Sequence, residues 1–234
     1  MEANQMQNEL LLIGSVVLIY GAVLAAYCLF GKAGLYGMTV IATMLANIEV
    51  LLLINGFGLE QTLGNVMFAA TYCITDILSE NESKEDANKA VSIGIFISVL
   101  FVLITQSWLL YSPAASDVIH SDIVSVFKGT PRVILAGIAV YAIVQRLDVF
   151  LYHTIWAFTE KKSGSKKGFL WLRNNAATVI SQLINSFLFN FIAFYGTYPN
   201  KTVISISLSC FVIYVVTALL DTPVVYLARK IKKN

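Results

Sequence analysis

The chain has 234 residues, 57% of them hydrophobic and only 13% charged, with a formal net charge of +2. An average soluble domain carries about 25% charged residues, so this chain lacks the polar surface to cover a globule in water. Its apolar runs reach the ~20 residues that a helix needs to cross a bilayer core, which excludes a soluble domain and sets the fold class as all-α: a polytopic transmembrane helical bundle of 6–7 spans, one integral membrane domain over residues 1–234.

In chain order, the start MEANQMQNEL is polar and acidic, with neither the basic start nor the small-residue cleavage site of a secretory signal, so the first apolar run reads as a retained span. Helical segments are predicted at about 10–30, 35–55, 62–79, 89–111, 132–159, 169–196 and 203–228. Asn47 and Glu49 fall mid-span in the second, and nothing basic lies near Glu49 in sequence. The third is short and contains Gly64 and Asn65, the pattern of a tilted or broken helix. It ends in TDILSENE, where Asp76 is a candidate ligand and Glu80 reads as a solvated end residue. The loop Ser112 to Thr130 carries Pro113 and scattered Asp and Ser, consistent with a short surface helix. Cys28, Cys73 and Cys210 all sit in apolar runs and read as packing residues, without a disulfide or metal framework.

The fifth and sixth segments carry the densest polar signal. Asp148 lies 13 residues before Lys161, or roughly 20 Å from that end, where an unpaired charge costs about 3 kcal/mol or more. Tyr141, Gln145, Asp148 and Tyr152 fall on one stripe at i, i+4, i+7 and i+11. Arg146 is rotated away with Phe150 and His153, and reads either as half of a structural ion pair or as a balance for local carboxylates. In the sixth segment QLINSF echoes QRLDVF at an offset of 37, so Gln182 and Asn185 are expected at the depth of Gln145 and Asp148, facing them across antiparallel helices. Asn174, Asn175, Thr178, Ser181 and Asn190 extend that stripe. Such a chamber near the bilayer midplane is the usual plan of a secondary transporter; amide hydrogen bonds that hold the bundle together explain part of the set. In the seventh, Pro223 follows Asp221 and Thr222 and should kink the helix.

Basic residues orient the segments. With EKKSGSKK and the tail ARKIKKN both cytoplasmic, the N-terminus lies outside and the C-terminus inside. The inside set is then Lys32, Lys84, Lys89, Lys161, Lys162, Lys166, Lys167, Arg173, Arg229, Lys230, Lys232 and Lys233, against Lys128, Arg132 and Lys201 outside, twelve to three.

The stretches LANIEVLLLINGFGLEQTLGNVMFAATYCITDILSENESKEDANKA, QRLDVFLYH, LWLRNNAATVISQLINSFLFNFIAFYG and LLDTPVVYLARK together resemble the bacterial queuosine-precursor transporters, also called vitamin uptake transporters, over most of the chain. The chain departs from that pattern at Asn185-Ser186, where many members carry Asp-Thr, and at ENES, where many read Glu-Val-Tyr-Gly. The resemblance implies a fold like the small substrate-capturing subunits of vitamin transporters, placement in a bacterial inner membrane, and import of a 7-deazaguanine base (preQ0, preQ1 or queuine).

The chemistry of the polar residues suits such a guest. A guanine-like edge offers two adjacent donors that one carboxylate accepts together, a role for Asp148; Gln145, Gln182 and Asn185 meet the remaining polar atoms. Asn47, Glu49, Asp76, Arg173, Tyr141 and Tyr152 complete the candidate substrate-binding set, with the aromatic rings stacking on the base. Two alternatives stay open: a substrate-binding subunit of an energy-coupled transporter for another vitamin, and a membrane-embedded enzyme using Asp76, Glu80, Asp148 and His153. The enzyme lacks HExxH and any recognisable Ser or Cys nucleophile, and no P-loop or cofactor motif is present. The expected partners are a small nucleobase-like solute and the lipid bilayer, with no direct nucleic-acid binding. Small residues at Gly14, Gly21, Ala25, Gly31, Gly34 and Gly37 permit close helix contact and leave a homodimer open, as is a separate energising partner.

Overall fold

The first helix folds back on itself. The computed structural model describes residues 2–128, 131–165 and 168–232, beginning with α1 (Glu2–Glu49). Gly31 within it has φ 58° and ψ −145°, a backbone conformation that favours glycine. A Cβ on Gly34 would land on the carbonyl of Ala26, although a straight helix would hold those residues ~12 Å apart. The arms 2–30 and 32–49 therefore run antiparallel, as two of the predicted segments. The turn returns Asn8 and Glu9 to the far end of the second arm, where Asn8 Nδ2 donates to the Asn55 carbonyl (2.9 Å) and Glu9 Oε1 accepts from the Phe57 amide (2.9 Å).

An antiparallel hairpin follows, β1 (Leu53–Gly56) and β2 (Leu59–Thr62). Its two-residue turn needs positive φ at both central positions, which Phe57 (55°) and Gly58 (72°) supply. The hairpin replaces the end of the predicted second span and the loop after it, and the NGFG at its turn is the sequence signal for it.

Next comes α2 (Gly64–Asn81), then α3 (Lys84–Trp108), the short α4 (His120–Lys128), α5 (Pro131–Ser163), α6 (Leu170–Phe194) and α7 (Asn200–Ile231). The third segment is not broken: it is the continuous α2, and 15 of its 18 residues are buried, so it has almost no lipid face. It packs against both arms of α1 and against α3, α5 and α7, at the centre of the bundle. Ser83 caps α3 by accepting from the Asp86 amide (3.0 Å). In the exposed loop before α4, Asp117 accepts from the amides of Ile119 and His120, and those hydrogen bonds hold its carboxyl below the usual carboxylate range. The expected kink at Pro223 does not break α7, which runs on to Ile231.

Burial is inverted relative to a soluble protein. Leu18 and Leu29 are 74% and 71% exposed, while Arg173, Asn174, Gln145 and Asp148 are at 0%. Such a surface requires lipid, since every polar group in a bilayer must be satisfied inside the protein. Among the described residues five helices, α1 counted once, are long and apolar enough to cross a membrane. The chain is a multi-pass membrane protein built as a helical bundle.

The two ends of the bundle differ in charge. One end gathers ion pairs of Lys32 with Asp86 (3.1 Å), Lys232 with Glu82 (3.2 Å), and Arg173 and Arg229 with Glu80. Lys166, Lys167 and Lys233 of the predicted inside set lie outside the described residues, as do Gly129 and Thr130 of the long loop. The other end holds the hairpin, α4, and Arg132, which donates to the carbonyls of Ile192 (3.0 Å) and Tyr195 (2.7 Å).

The fold-back makes a testable demand on Gly34. The Gly34→Ala variant is expected to lose about 1–3 kcal/mol to overpacking, read as a lower melting temperature in detergent. Gly37→Ala, where a Cβ meets nothing, is expected to melt at or above the parent temperature.

Candidate functional site

A cavity of about 180 Å³ lies in the half of the bundle opposite the basic end. α2 contributes Asn65 and Tyr72, α5 Gly137 and Tyr141, α6 Asn185, Ser186, Phe189 and Asn190, and α7 Tyr214. Leu53 and Glu60 of the hairpin, both exposed, form its mouth. The shape follows from small residues. Gly64 lets α2 start against the end of α1, since a Cβ there would meet the Val50 backbone at 2.8 Å, and Gly94 of α3 lets the Tyr141 ring lie against it. Pockets for drug-sized ligands run to ~300–1,000 Å³, so this one suits a smaller solute.

The lining is aromatic with amides interspersed. Tyr214 donates to Asn65 Oδ1 (3.1 Å) and Asn185 donates to Gln182 Oε1 (2.9 Å). Asn65 Nδ2, Ser186 Oγ and the Tyr141 hydroxyl are buried without a hydrogen-bond partner. Buried polar atoms are rarely left so, and a polar guest in the cavity could satisfy them.

Below the cavity, toward the basic end, α6 presents Ser181, Thr178 and Asn174 as a ladder with helical spacing. Each rung meets a carboxylate from another helix. Ser181 donates to Asp148 Oδ1 of α5 (2.7 Å), and Asn174 Nδ2 donates to Asp221 Oδ1 of α7 (2.7 Å). Thr178 lies close enough to interact with both Asp148 and Asp76 of α2. Gln145 turns toward α2, donating to Thr75 Oγ1 (2.9 Å) and the Thr71 carbonyl (3.2 Å).

The ladder ends on a buried ionic lock. Arg173 grips both oxygens of Glu80 (Nη2 at 2.6 and 2.8 Å, Nε at 3.0 Å) and donates to the Gly168 carbonyl (2.6 Å). Tyr152 donates to Glu80 (2.8 Å), Arg229 stands 3.5 Å from it, and the Trp156 ring lies 4.1 Å under the guanidinium. Glu80 thus joins α2, α5, α6 and α7, and its side chain is only 2% exposed; the expectation of a solvated end residue is corrected. Local sequence hides this because the partners lie 72 to 149 residues away.

The candidate residues divide into three groups. Tyr141 and Asn185 line the cavity. Gln145, Asp148, Gln182 and Asp76 are buried beneath it, and Gln145 and Asp148 turn to different helices rather than forming one direct hydrogen-bonded set with Gln182 and Asn185. The others lie elsewhere. Asn47 ties α1 to Ser98 of α3 (3.1 Å), Glu49 is half-buried at the end of α1 and does not line the cavity, and Arg173 and Tyr152 belong to the lock. Among the described residues Arg146 pairs with no carboxylate: it is exposed on the outer face of α5 beside Ile143 and Phe150. Lys84, at the start of α3, lies 5.5 Å over the Phe150 ring, so Arg146 sits about one helical turn below that level and its stem can snorkel. Sequence reasoning passed over Asn65, Ser186 and Tyr214 as cavity residues; only Asn65, polar beside a helix-starting glycine, carried a local signal.

These features define the class first: a multi-pass helical membrane protein with a cavity sized for a small solute at one end and a buried ionic lock at the other. The family described as "Putative vitamin uptake transporter" matches residues 62–228, and the chain is 35% identical over 212 residues (91% of this chain, 90% of the relative) to the "Probable queuosine precursor transporter" of Bacillus subtilis (strain 168). The chain belongs to the vitamin uptake transporter family and is a transport protein, not an enzyme. No solved structure matches it.

Breaking the lock from one side leaves a buried charge unpaired, which costs about 3–5 kcal/mol, whereas removing both partners costs far less. Glu80→Ala is expected to lose that much in detergent unfolding, and the double variant Glu80→Ala/Arg173→Met to recover most of it. Equal losses in the two would show that the pair carries no such role.

Proposed function

We propose that the chain imports a 7-deazaguanine precursor of queuosine across a bacterial inner membrane. It does so from an outward-open state in which the cavity receives the base and the Glu80–Arg173 lock closes the cytoplasmic side. The chain crosses the bilayer seven times, through the two arms of α1, α2, α3, α5, α6 and α7, with the N-terminus outside and the C-terminus inside. The positive-inside rule supports this orientation, because ion-paired basic residues cluster at the end away from the cavity.

The observation that carries the substrate reading is the lining itself, flat aromatic walls with amides whose polar atoms include unpaired ones. Tyr72, Tyr141, Phe189 and Tyr214 offer faces for a planar ring. Asn65, Asn185 and Asn190 offer donors and acceptors to its polar edge. Asp148, Gln145 and Gln182, directly below, meet the base next as the floor opens, Asp148 accepting the paired ring and exocyclic donors. The name of the Bacillus relative agrees with this substrate class.

Two results test the reading. In cells carrying the transporter, uptake of labelled preQ0 is expected to be competed by unlabelled preQ1 or queuine and not by common vitamins; competition by a vitamin alone would favour the energy-coupled subunit. Asn185→Leu is expected to reduce uptake at least ~10-fold, the loss of one buried charge-free polar contact and its unpaired partner, with normal membrane levels. Unchanged uptake would remove Asn185 from the site.

A further inference from the structure

Asp76, Asp148 and Asp221 come from three different helices, and each is within electrostatic reach of the other two. All three are 0–1% exposed. Burying one bare carboxylate is expensive, and burying three together without a countercharge is more so. The neighbouring titratable groups supply no such charge. Tyr20 of α1, Tyr72 and Cys73 of α2, Tyr152 of α5 and Tyr214 of α7 are neutral in their ordinary forms. The buried face of α3 carries no titratable side chain. On that side Arg173 and Arg229 are engaged with Glu80, Lys32 with Asp86 and Lys232 with Glu82.

The unpaired atoms point to what resides there. Asp76 Oδ2, Asp148 Oδ2, Thr178 Oγ1 and Asn174 Oδ1 are buried without hydrogen-bond partners, as is Gln145 Oε1. Protons on the carboxylates would remove the charge and provide the missing donors at once. Among the described residues no three acidic, histidine or cysteine side chains converge at metal-holding spacing; a sodium ion held by these oxygens is the alternative that the sodium-gradient arm of the test separates from protons.

We propose that Asp76, Asp148 and Asp221 form a proton-binding site, loaded from the cavity and emptied toward the lock, that couples solute import to proton entry. Asp148 is the outer member, within electrostatic reach of Tyr72 on the cavity wall. Asp76 is the inner member, facing Glu80. Thr178 bridges them: its hydroxyl gives its proton to Asp76 and takes one from Asp148, so one O–H bond forms for each that breaks. The coupling rests on the transport reading above, whereas the proton site stands on the carboxylates alone.

The experiment uses the purified full chain in liposomes with the membrane potential clamped at zero. Neutral labelled preQ0 is the transported probe. With the outside one pH unit more acidic, one proton per solute is expected to drive about tenfold accumulation. Asp221→Asn, which keeps a side chain beside Asn174, is expected to abolish that accumulation. Exchange of the base without any response to pH, or accumulation driven by a sodium gradient instead, would overturn the coupling while leaving the transport reading intact. Failure of the parent protein to exchange preQ0 under any condition would overturn both the transport reading and the coupling. The site itself is read separately by infrared difference spectroscopy of the detergent-purified protein. A protonated-carboxyl band at neutral pH, weakened by Asp148→Asn or Asp221→Asn, supports it; no such band overturns it whatever the transported solute.

Discussion

A buried ion pair holds the basic end of this bundle together. In lipid no water solvates a stray charge, so Arg173 and Glu80 must satisfy each other almost completely. They do so through both carboxylate oxygens, with Tyr152, Arg229 and a backbone carbonyl completing the set. Four helices meet at that carboxylate. The short central helix α2, buried along almost its whole length, ends at this carboxylate.

The same constraint divides α6 into two working lengths. Toward the cavity, Asn185, Ser186 and Asn190 present polar atoms to a solute-sized space. Toward the lock, Ser181, Thr178 and Asn174 turn to carboxylates of α5, α2 and α7. One helical stripe thus runs from the cavity to the lock. A bundle held only by amide hydrogen bonds would need no run of carboxylates along it.

Much of this was legible in the sequence, because composition and span length depend on local residues. Asp148 and Gln182 were found to be buried polar residues by the cost of polarity at depth, and helical periodicity separated Arg146 from their stripe. Partnership was not legible. Glu80 meets Arg173 across 93 residues, and helical spacing cannot say that Gln145 turns to α2 while Asp148 turns to α6. Tyr152 shares the stripe of Asp148 yet belongs to the lock, because one further helical turn carries it to the level of Glu80. The Gly31 reversal and the NGFG hairpin are glycine-dependent geometries, whose consequences appear only when the arms they join are packed.

An outward-open cavity above a sealed ladder is reached from one side of the membrane only. In a chain whose Cys28, Cys73 and Cys210 have been replaced, Asn185→Cys should react with a membrane-impermeant thiol reagent added outside intact cells, and preQ0 should protect it. Asn174→Cys, below the floor, should stay unlabelled from that side. Labelling of Asn185→Cys only from the cytoplasmic face, or equal outside labelling at both positions, would contradict an outward cavity sealed above a buried ladder.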